Sequence, residues 1–339
     1  MGGGISGLSV SVRLLHRGCD VTLVDSGVNH SSRVAAGMIN PLVFRRMNRS
    51  WRAGECLDSL RSFYPDLESE TATPFFSSVP LRRIFSSDQE RRYWLEKQHL
   101  AEFREFMNVV TAEDDAFDVV PSPFGSGRVK NVYAINTRAF LPSVRSYVAR
   151  HGRVITSSFD YNSLSESSYN GVNYDGVIFC EGYQGVHNPW FQFLPLSQTK
   201  GEIITIRATT LPDGHSLNRK CFMLPLGNQT FKVGSTYNWN DPTTQPTEEG
   251  KQQILDKLSY LIREAVTVLD HEAGIRPTTP DRRAFIGTHP EHPNYHVFNG
   301  LGTKGYLIAP LLSEEFVSFL LDGTPLHEEV RIKRFYPGR

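Results

Sequence analysis

Five stretches of the chain repeat apolar residues at helical spacing. Ile5, Leu8, Val12 and Leu15 step by 3, 4 and 3 and predict a first helix, closed by Gly18 where a helix C-terminus takes positive φ. Trp51, Cys56, Leu57, Leu60 and Phe63 predict a second over 49–64. Asn136-Thr137 caps a third, which carries Phe140, Leu141, Val144 and Val148 and stops at Gly152. Residues 248–269 read as an amphipathic helix with Ile254, Leu258, Leu261 and Ala265 on one face, and a last helix runs through Phe316 and Leu320.

Strand signals lie between these helices. Residues 20–25 form a β-branched run that ends in the carboxylate of Asp25, and 153–156 form another short strand. The stretch 75–85 alternates and turns at Pro80, and 175–180 is a buried strand leading into a turn at Gly182. Residues 201–206, 221–225 and 231–234 are strand-like, and 295–298 precede a loop from Gly300 to Gly305. Residues 31–41 are a small-residue loop, and the charged segment 86–118 is helical in part. One αβ unit therefore opens the chain and a second lies far downstream, with a β-rich stretch between them. No repeat or low-complexity linker interrupts this order.

Composition narrows the class. The 36 Lys+Arg balance 36 Asp+Glu, so no strongly basic face is expected for nucleic acid, and none is predicted as a partner. The longest apolar runs, such as Val177 to Cys180, are far below the roughly 20 residues of a membrane span. Length allows about two domains. Cys19, Cys56, Cys180 and Cys221 form no C-x-x-C pair, and the eleven histidines show no metal spacing, so no metal is expected. Scattered reduced cysteines, with no secretory leader after Met1, predict a cytoplasmic protein.

The chemistry begins at the start of the chain. Met1 runs into a G-x-G-x-x-G pattern at Gly2, Gly4 and Gly7, with Ile5 and Ser6 inside it. The predicted helix follows, then the strand, then Asp25 and Ser26, Asp25 lying 18 residues beyond Gly7. That order predicts a dinucleotide site. Glycines let the backbone approach a pyrophosphate, the helix N-terminus offers free N–H groups, and the acid binds ribose hydroxyls. The same start also fits an N-myristoylation signal. The fingerprint normally opens with a strand, so the chain is expected to lack that strand or to fill its slot with another segment.

These residues resemble the flavin amine oxidase family that includes D-amino acid oxidase, glycine oxidase and sarcosine oxidase, over nearly the whole chain. The glycine loop and Asp25 look like its FAD site. Ala35-Ala36-Gly37-Met38 looks like the loop after its second strand, Val154 falls where a strand passes the adenine, and Cys180-Glu181-Gly182 is similar to its second glycine turn. Ala273 to Asp281, with Gly274-Ile275-Arg276-Pro277, is similar to its Gly-x-Arg-Pro signature loop, and Gly300-Leu301-Gly302-Thr303-Lys304-Gly305 to its terminal glycine loop. A narrower likeness points to glycine oxidase and to the oxidase domain of a bacterial tRNA wobble-uridine modification enzyme.

The resemblance implies an α/β fold: a Rossmann-like FAD-binding domain (1–75, 131–190 and 270–339) interrupted by an α+β substrate domain with a mostly antiparallel sheet (76–130 and 191–269). It implies non-covalent FAD and oxidation of the C–N bond of a small amine or amino acid of the glycine, sarcosine or D-amino acid type, with oxygen or another acceptor. A tRNA-borne aminomethyl-uridine, or a non-catalytic flavin-binding role, stands as the alternative. Arg276 is expected to bind a substrate carboxylate through paired hydrogen bonds, or else to form an ion pair with an acid such as Asp281. Lys232, in Phe231-Lys232-Val233-Gly234, resembles the lysine that assists oxygen in sarcosine oxidase; as a strand lysine it otherwise faces water. The Gly300–Gly305 loop and the last helix are expected at the flavin pyrimidine end, where Lys304 adds a charge or is solvated. Tyr237 and Trp239 line the pocket or form part of an aromatic core or rim.

Overall fold

The first helix, Ile5–His16, buries Ile5, Leu8, Val10 and Val12 against the last helix, Gly305–Asp322, and against Thr137–His151. Each such side chain contributes roughly 1.5–3 kcal/mol when fully buried. The computed structural model describes residues 1–28, 30–211 and 213–336, with only the backbone of His30; residues 337–339 at the end of the expected 270–339 segment lie outside it. No helix among the described residues is long and apolar enough to cross a membrane.

Around these helices the sheet is built in pieces. Thr22–Val24 pairs parallel with Arg153–Ile155. Val177–Phe179 pairs parallel with Tyr295–Asn299, which pairs antiparallel with Phe285–Thr288. Residues 1 and 2 join the two halves. The Met1 amino group donates to Ile178 O (2.7 Å), Cys180 N–H donates to Met1 O (2.8 Å), and Gly2 N–H donates to Val24 O (2.9 Å). The slot in which a strand was expected is thus occupied by the start of the glycine loop.

A seven-stranded sheet forms the second layer, in the spatial order Thr267–Thr278, Ser197–Arg207, Thr230–Gly234, Cys221–Gly227, Ser216–Arg219, Leu81–Ile84 and Ser126–Val129. Every pairing is antiparallel except Ser216–Arg219 with Leu81–Ile84. Alternation sorts its faces. Ile204, Ile206, Met223, Phe231 and Val233 pack under the helix Glu248–Leu258 with Ile254 and Leu258. Their neighbours Gly201, Ile203, Phe222, Leu224, Lys232 and Gly234 occupy the opposite face.

Several expectations change here. The helix expected over 248–269 ends at Leu258. Leu261 and Ile262 stay buried, but Thr267 and Val268 are β-branched and begin a twelve-residue strand that pairs with Ser197–Arg207. The boundary at residue 270 consequently falls inside a strand of the large sheet, and the Gly-x-Arg-Pro segment is strand rather than loop. The small-residue stretch 31–41 contains the short helix His30–Val34 and the strand Met38–Ile39, which pairs with Tyr133–Ile135. The second helix is Ala53–Thr71, because its apolar stripe continues through Tyr64 and Leu67.

Candidate cofactor and substrate site

The glycine loop is packed backbone to backbone. A Cβ on Gly2 would stand 2.4 Å from Cys180 O, and one on Gly7 would stand 1.8 Å from Gly2 O. Gly2 has φ +92°, a conformation glycine adopts without strain. Gly3, outside the G-x-G-x-x-G positions, is equally constrained: its Cβ would meet the Asp25 carboxylate at 2.5 Å, and its N–H donates to Asp25 Oδ1 at 3.0 Å. Asp25 is buried and also takes Arg145 Nε at 3.4 Å. The run of three glycines was the available signal for Gly3; nothing local marked Arg145.

Two helix N-termini converge on this loop. Ile5–His16 starts at Gly4 with no side-chain cap, and Gly305–Asp322 starts at Lys304 with none; neither has an acid in its first turn. A Cβ on Gly305 would lie 3.3 Å from the Ile5 side chain. Within the first turn, Ile5 N–H is taken by Ser32 Oγ at 3.0 Å. Convergent positive dipole ends over a side-chain-free backbone suit a pyrophosphate, so the residues present fit FAD.

The other predicted glycines hold neighbouring turns. Gly37 has φ +78° and its Cβ would overlap Ile135 O at 1.9 Å, which fixes the turn between Ala36 and Met38. Gly182, Gly300 and Gly302 also have positive φ. Asn299 Nδ2 donates to Gly182 O at 2.9 Å, and Gly302 N–H donates to Pro277 O at 3.1 Å, so the last glycine loop is tied both to the second glycine turn and to the Arg276 strand. Val154 is half-buried opposite Leu23, whereas Ser26 and Thr303 are exposed. Burial pushes the Cys180 thiol up to about 12, so this residue packs rather than reacts.

Lys304 differs from expectation. Its ammonium donates to Asn40 O (2.7 Å), Leu42 O (3.3 Å) and Ser50 Oγ (2.6 Å), clamping the loop after Met38. The charge foreseen for the flavin is engaged there, and burial lowers its pKa to about 8.

Arg276 lies on the sheet face away from the helix Glu248–Leu258, stretched over Gly201, whose Cβ would stand 2.0 Å from its Nη2. It donates to Ser235 Oγ (2.8 Å), Thr236 O (3.3 Å) and Lys200 O (3.4 Å), and its Cζ sits 4.5 Å from the centroid of the Tyr237 ring. No carboxylate pairs with it among the described residues; Asp281 is held instead by Arg334 at 2.9 Å. The expected ion-pair alternative is therefore absent. Burial lowers the Arg276 pKa, opposed by Tyr237. Neutral partners leave the charge of this guanidinium uncompensated.

Lys232 is on the same face and buried, not solvated. Burial lowers its pKa, with Glu272 raising it. Sequence reasoning passed over Glu181 as an acid: it accepts from Tyr161 Oη and from Asn188 Nδ2 (2.7 Å), and burial raises its pKa. No cluster of three or more potential metal ligands exists among the described residues.

Comparison with known proteins identifies the family. The family model DAO, FAD dependent oxidoreductase, matches residues 1–318. The tRNA 5-methylaminomethyl-2-thiouridine biosynthesis bifunctional protein of Thiobacillus denitrificans is 24% identical over 98% of this chain and 58% of its own length. The chain thus spans little more than half of the bifunctional relatives it matches. Glycine oxidase of Pseudomonas putida is 24% identical, covering 96% of this chain and 94% of its own. The crystal structure of glycine oxidase from Geobacillus kaustophilus superposes with a TM-score of 0.82 at 20% identity, covering 100% of this chain and 97% of that one.

Proposed function

As a member of the DAO family of FAD-dependent oxidoreductases, to which this chain belongs, we propose that the protein oxidises the C–N bond of a small amine or amino acid. Bound FAD supplies the acceptor for a hydride from the carbon beside nitrogen. The observation that carries the reading is Arg276: an uncompensated guanidinium aimed across Gly201, with neutral neighbours that orient it. It would clamp a substrate carboxylate bidentately and hold the α-carbon in one place. The amine reacts in its neutral form, so no side-chain base is required. The imine product is hydrolysed by water.

Lys232 shares that sheet face, buried beside Glu272, and is proposed to present a positive charge where oxygen is reduced. The glycine turns at Gly2–Gly7, Gly37, Gly182 and Gly300–Gly305 are proposed to hold FAD without a covalent link, with Asp25 at the ribose.

The bifunctional tRNA-modification relatives, matched along almost all of this chain, favour a second reading: an aminomethyl group carried on a uridine. The balance of 36 basic against 36 acidic residues favours the small substrate instead.

The test is anaerobic titration of FAD-loaded protein with glycine, sarcosine and D-alanine. Bleaching of the visible flavin band by any of them is the expected result. A loaded protein that none of them bleaches removes the small-substrate reading.

A further inference from the structure

A cleft of about 900 Å³ opens on the layer of the large sheet that faces away from Arg276. Its walls are residues 115–123, which follow the helix Ala112–Asp115, and residues 259–264, which follow the helix Glu248–Leu258. Arg219 joins the two walls. Its Nη1 donates to Pro121 O (3.2 Å) and to Tyr260 O (2.9 Å), and its Cζ sits 5.7 Å from the centroid of the Tyr260 ring. By alternation Arg219 shares a face with Leu217, which belongs to the apolar layer of Met223 and Ile254. Its strand lies four places from that of Arg276 in the sheet order, so the cleft is separate from the cofactor and substrate site.

The charge of Arg219 has no counterion. The side chain is 8% exposed, its Nε is buried without a hydrogen-bond partner among the described residues, and neither acceptor of its Nη1 is a carboxylate. A second cation is close. Burial lowers the Arg83 pKa, Glu90 opposes this, and Arg219 lowers it further. Glu90 pairs with Arg83 and so answers only one of the two charges. Around the mouth, Asp115 is held by Arg91 (2.9 Å) and Glu264 by Thr210 (2.6 Å), while Asp118 and Arg263 carry opposite charges. The rest of the lining is largely apolar: the exposed Val119 and Tyr260, and the more buried Phe117, Pro121 and Leu261. One net positive charge calls for a monoanion, and the apolar walls call for a hydrocarbon body.

We propose that this cleft binds an amphipathic monocarboxylate, with its head group on Arg219 and its hydrocarbon body between Val119 and Tyr260. The ligand class is a medium-chain fatty acid. The site depends neither on the carboxylate anchor assigned to Arg276 nor on the oxidation proposed for the flavin side of the sheet. A ligand seated there touches both walls that Arg219 already ties together, so it holds the turn after Leu258 against the segment after Asp115.

The test is equilibrium dialysis of FAD-loaded protein against radiolabelled decanoate, with decanol and acetate as competitors. One decanoate per chain should bind saturably. Decanol lacks the charge and acetate lacks the body, so each should compete about tenfold or more less tightly. Val119→Asp, a change at an exposed position, should weaken decanoate binding about tenfold or more, and so should Arg219→Gln. Leu226→Asp, at an exposed apolar position outside the cleft, should leave binding unchanged, and so should Arg276→Ala. Where Arg219→Gln fails to fold, the comparison of decanoate with decanol reads the head group by itself. Decanoate binding that does not saturate, is no tighter than that of decanol, or survives Val119→Asp or a folded Arg219→Gln intact overturns the proposal. Loss of binding in Arg276→Ala puts the carboxylate at the substrate site, which overturns this cleft and leaves the proposed oxidation standing.

Discussion

The carbonyl oxygen of Gly2 occupies the place where a side chain at residue 7 would begin, 1.8 Å from the Cβ that Gly7 lacks. Backbone, not a flexible side chain, is in the way, so the loop must deform to admit even a methyl group. Gly7→Ala should cost about 1–3 kcal/mol of stability, as overpacking does, and lower FAD affinity by more than tenfold. Flavin absorbance retained after gel filtration measures this. Gly214→Ala, where nothing lies within 4 Å of the added carbon, is the matched control and should retain FAD.

Arg276 should be read through KM. Removing a charged hydrogen-bond partner costs about 1.5–3 kcal/mol, so Arg276→Ala should raise KM for a carboxylate amine roughly 10- to 100-fold. Arg276→Lys should recover only part of this, since an ammonium lacks the planar fork. A KM unchanged by Arg276→Ala would remove this residue from the substrate site.

Gly201 provides the space that the guanidinium fills. Gly201→Ala puts a methyl group 2.0 Å from Arg276 Nη2 and should displace the arginine from Ser235 and Thr236. The expected phenotype is the KM defect of Arg276→Ala with FAD retained, measured by steady-state kinetics beside the visible spectrum.

Lys232 makes no hydrogen bond or ion pair among the described residues although it is buried, an arrangement with a stability cost. Lys232→Met should therefore fold at least as stably as wild type. Its turnover with oxygen should fall at least tenfold relative to turnover with an artificial dye acceptor. An equal fall with both acceptors would assign Lys232 no role in oxygen reduction.

Lys304 predicts a pH dependence. Its folded pKa of about 8 lies below the ordinary lysine value of 10.5, so between those values the unfolded chain binds more protons. Stability contributed by this group therefore rises with pH across that window, by at most about 3 kcal/mol. The cost of Lys304→Met, from urea denaturation, should be smallest near neutrality and should grow toward pH 10. A cost independent of pH would count against the assignment.

Local constraints made much of this site legible in the sequence. Gly2, Gly7 and Gly37 announce themselves because only glycine permits the close approach, and Asp25 follows at the end of a short strand. Partners set by long-range pairing were hidden. The ammonium of Lys304 reaches Asn40, 264 residues away, and nothing in Gly302-Thr303-Lys304 foretells that. Gly201 looked like any strand glycine until pairing set it beside Arg276. Leu261 and Ala265 extended a helical period past Leu258 because the turn after the helix keeps Leu261 and Ile262 inward, and spacing cannot tell the two cases apart.

The pairing of Gly201 with Gly274 has a consequence for insertions and deletions. Arg276 pairs with Thr199 and reaches diagonally over Gly201; a slip of two residues between Thr267–Thr278 and Ser197–Arg207 would keep it on its face but set it across from Ser197 or Gly201, with its guanidinium over Thr199 or Ile203 instead of bare backbone. A slip of one would invert it into the apolar layer of Ile204 and Val233. The irregularity between Thr205 and Ile206 marks where the ladder changes step, and from there the count to Gly201 is fixed. Loss of a single residue between 201 and 205 would accordingly abolish the proposed carboxylate site while leaving every residue of that site present in the chain.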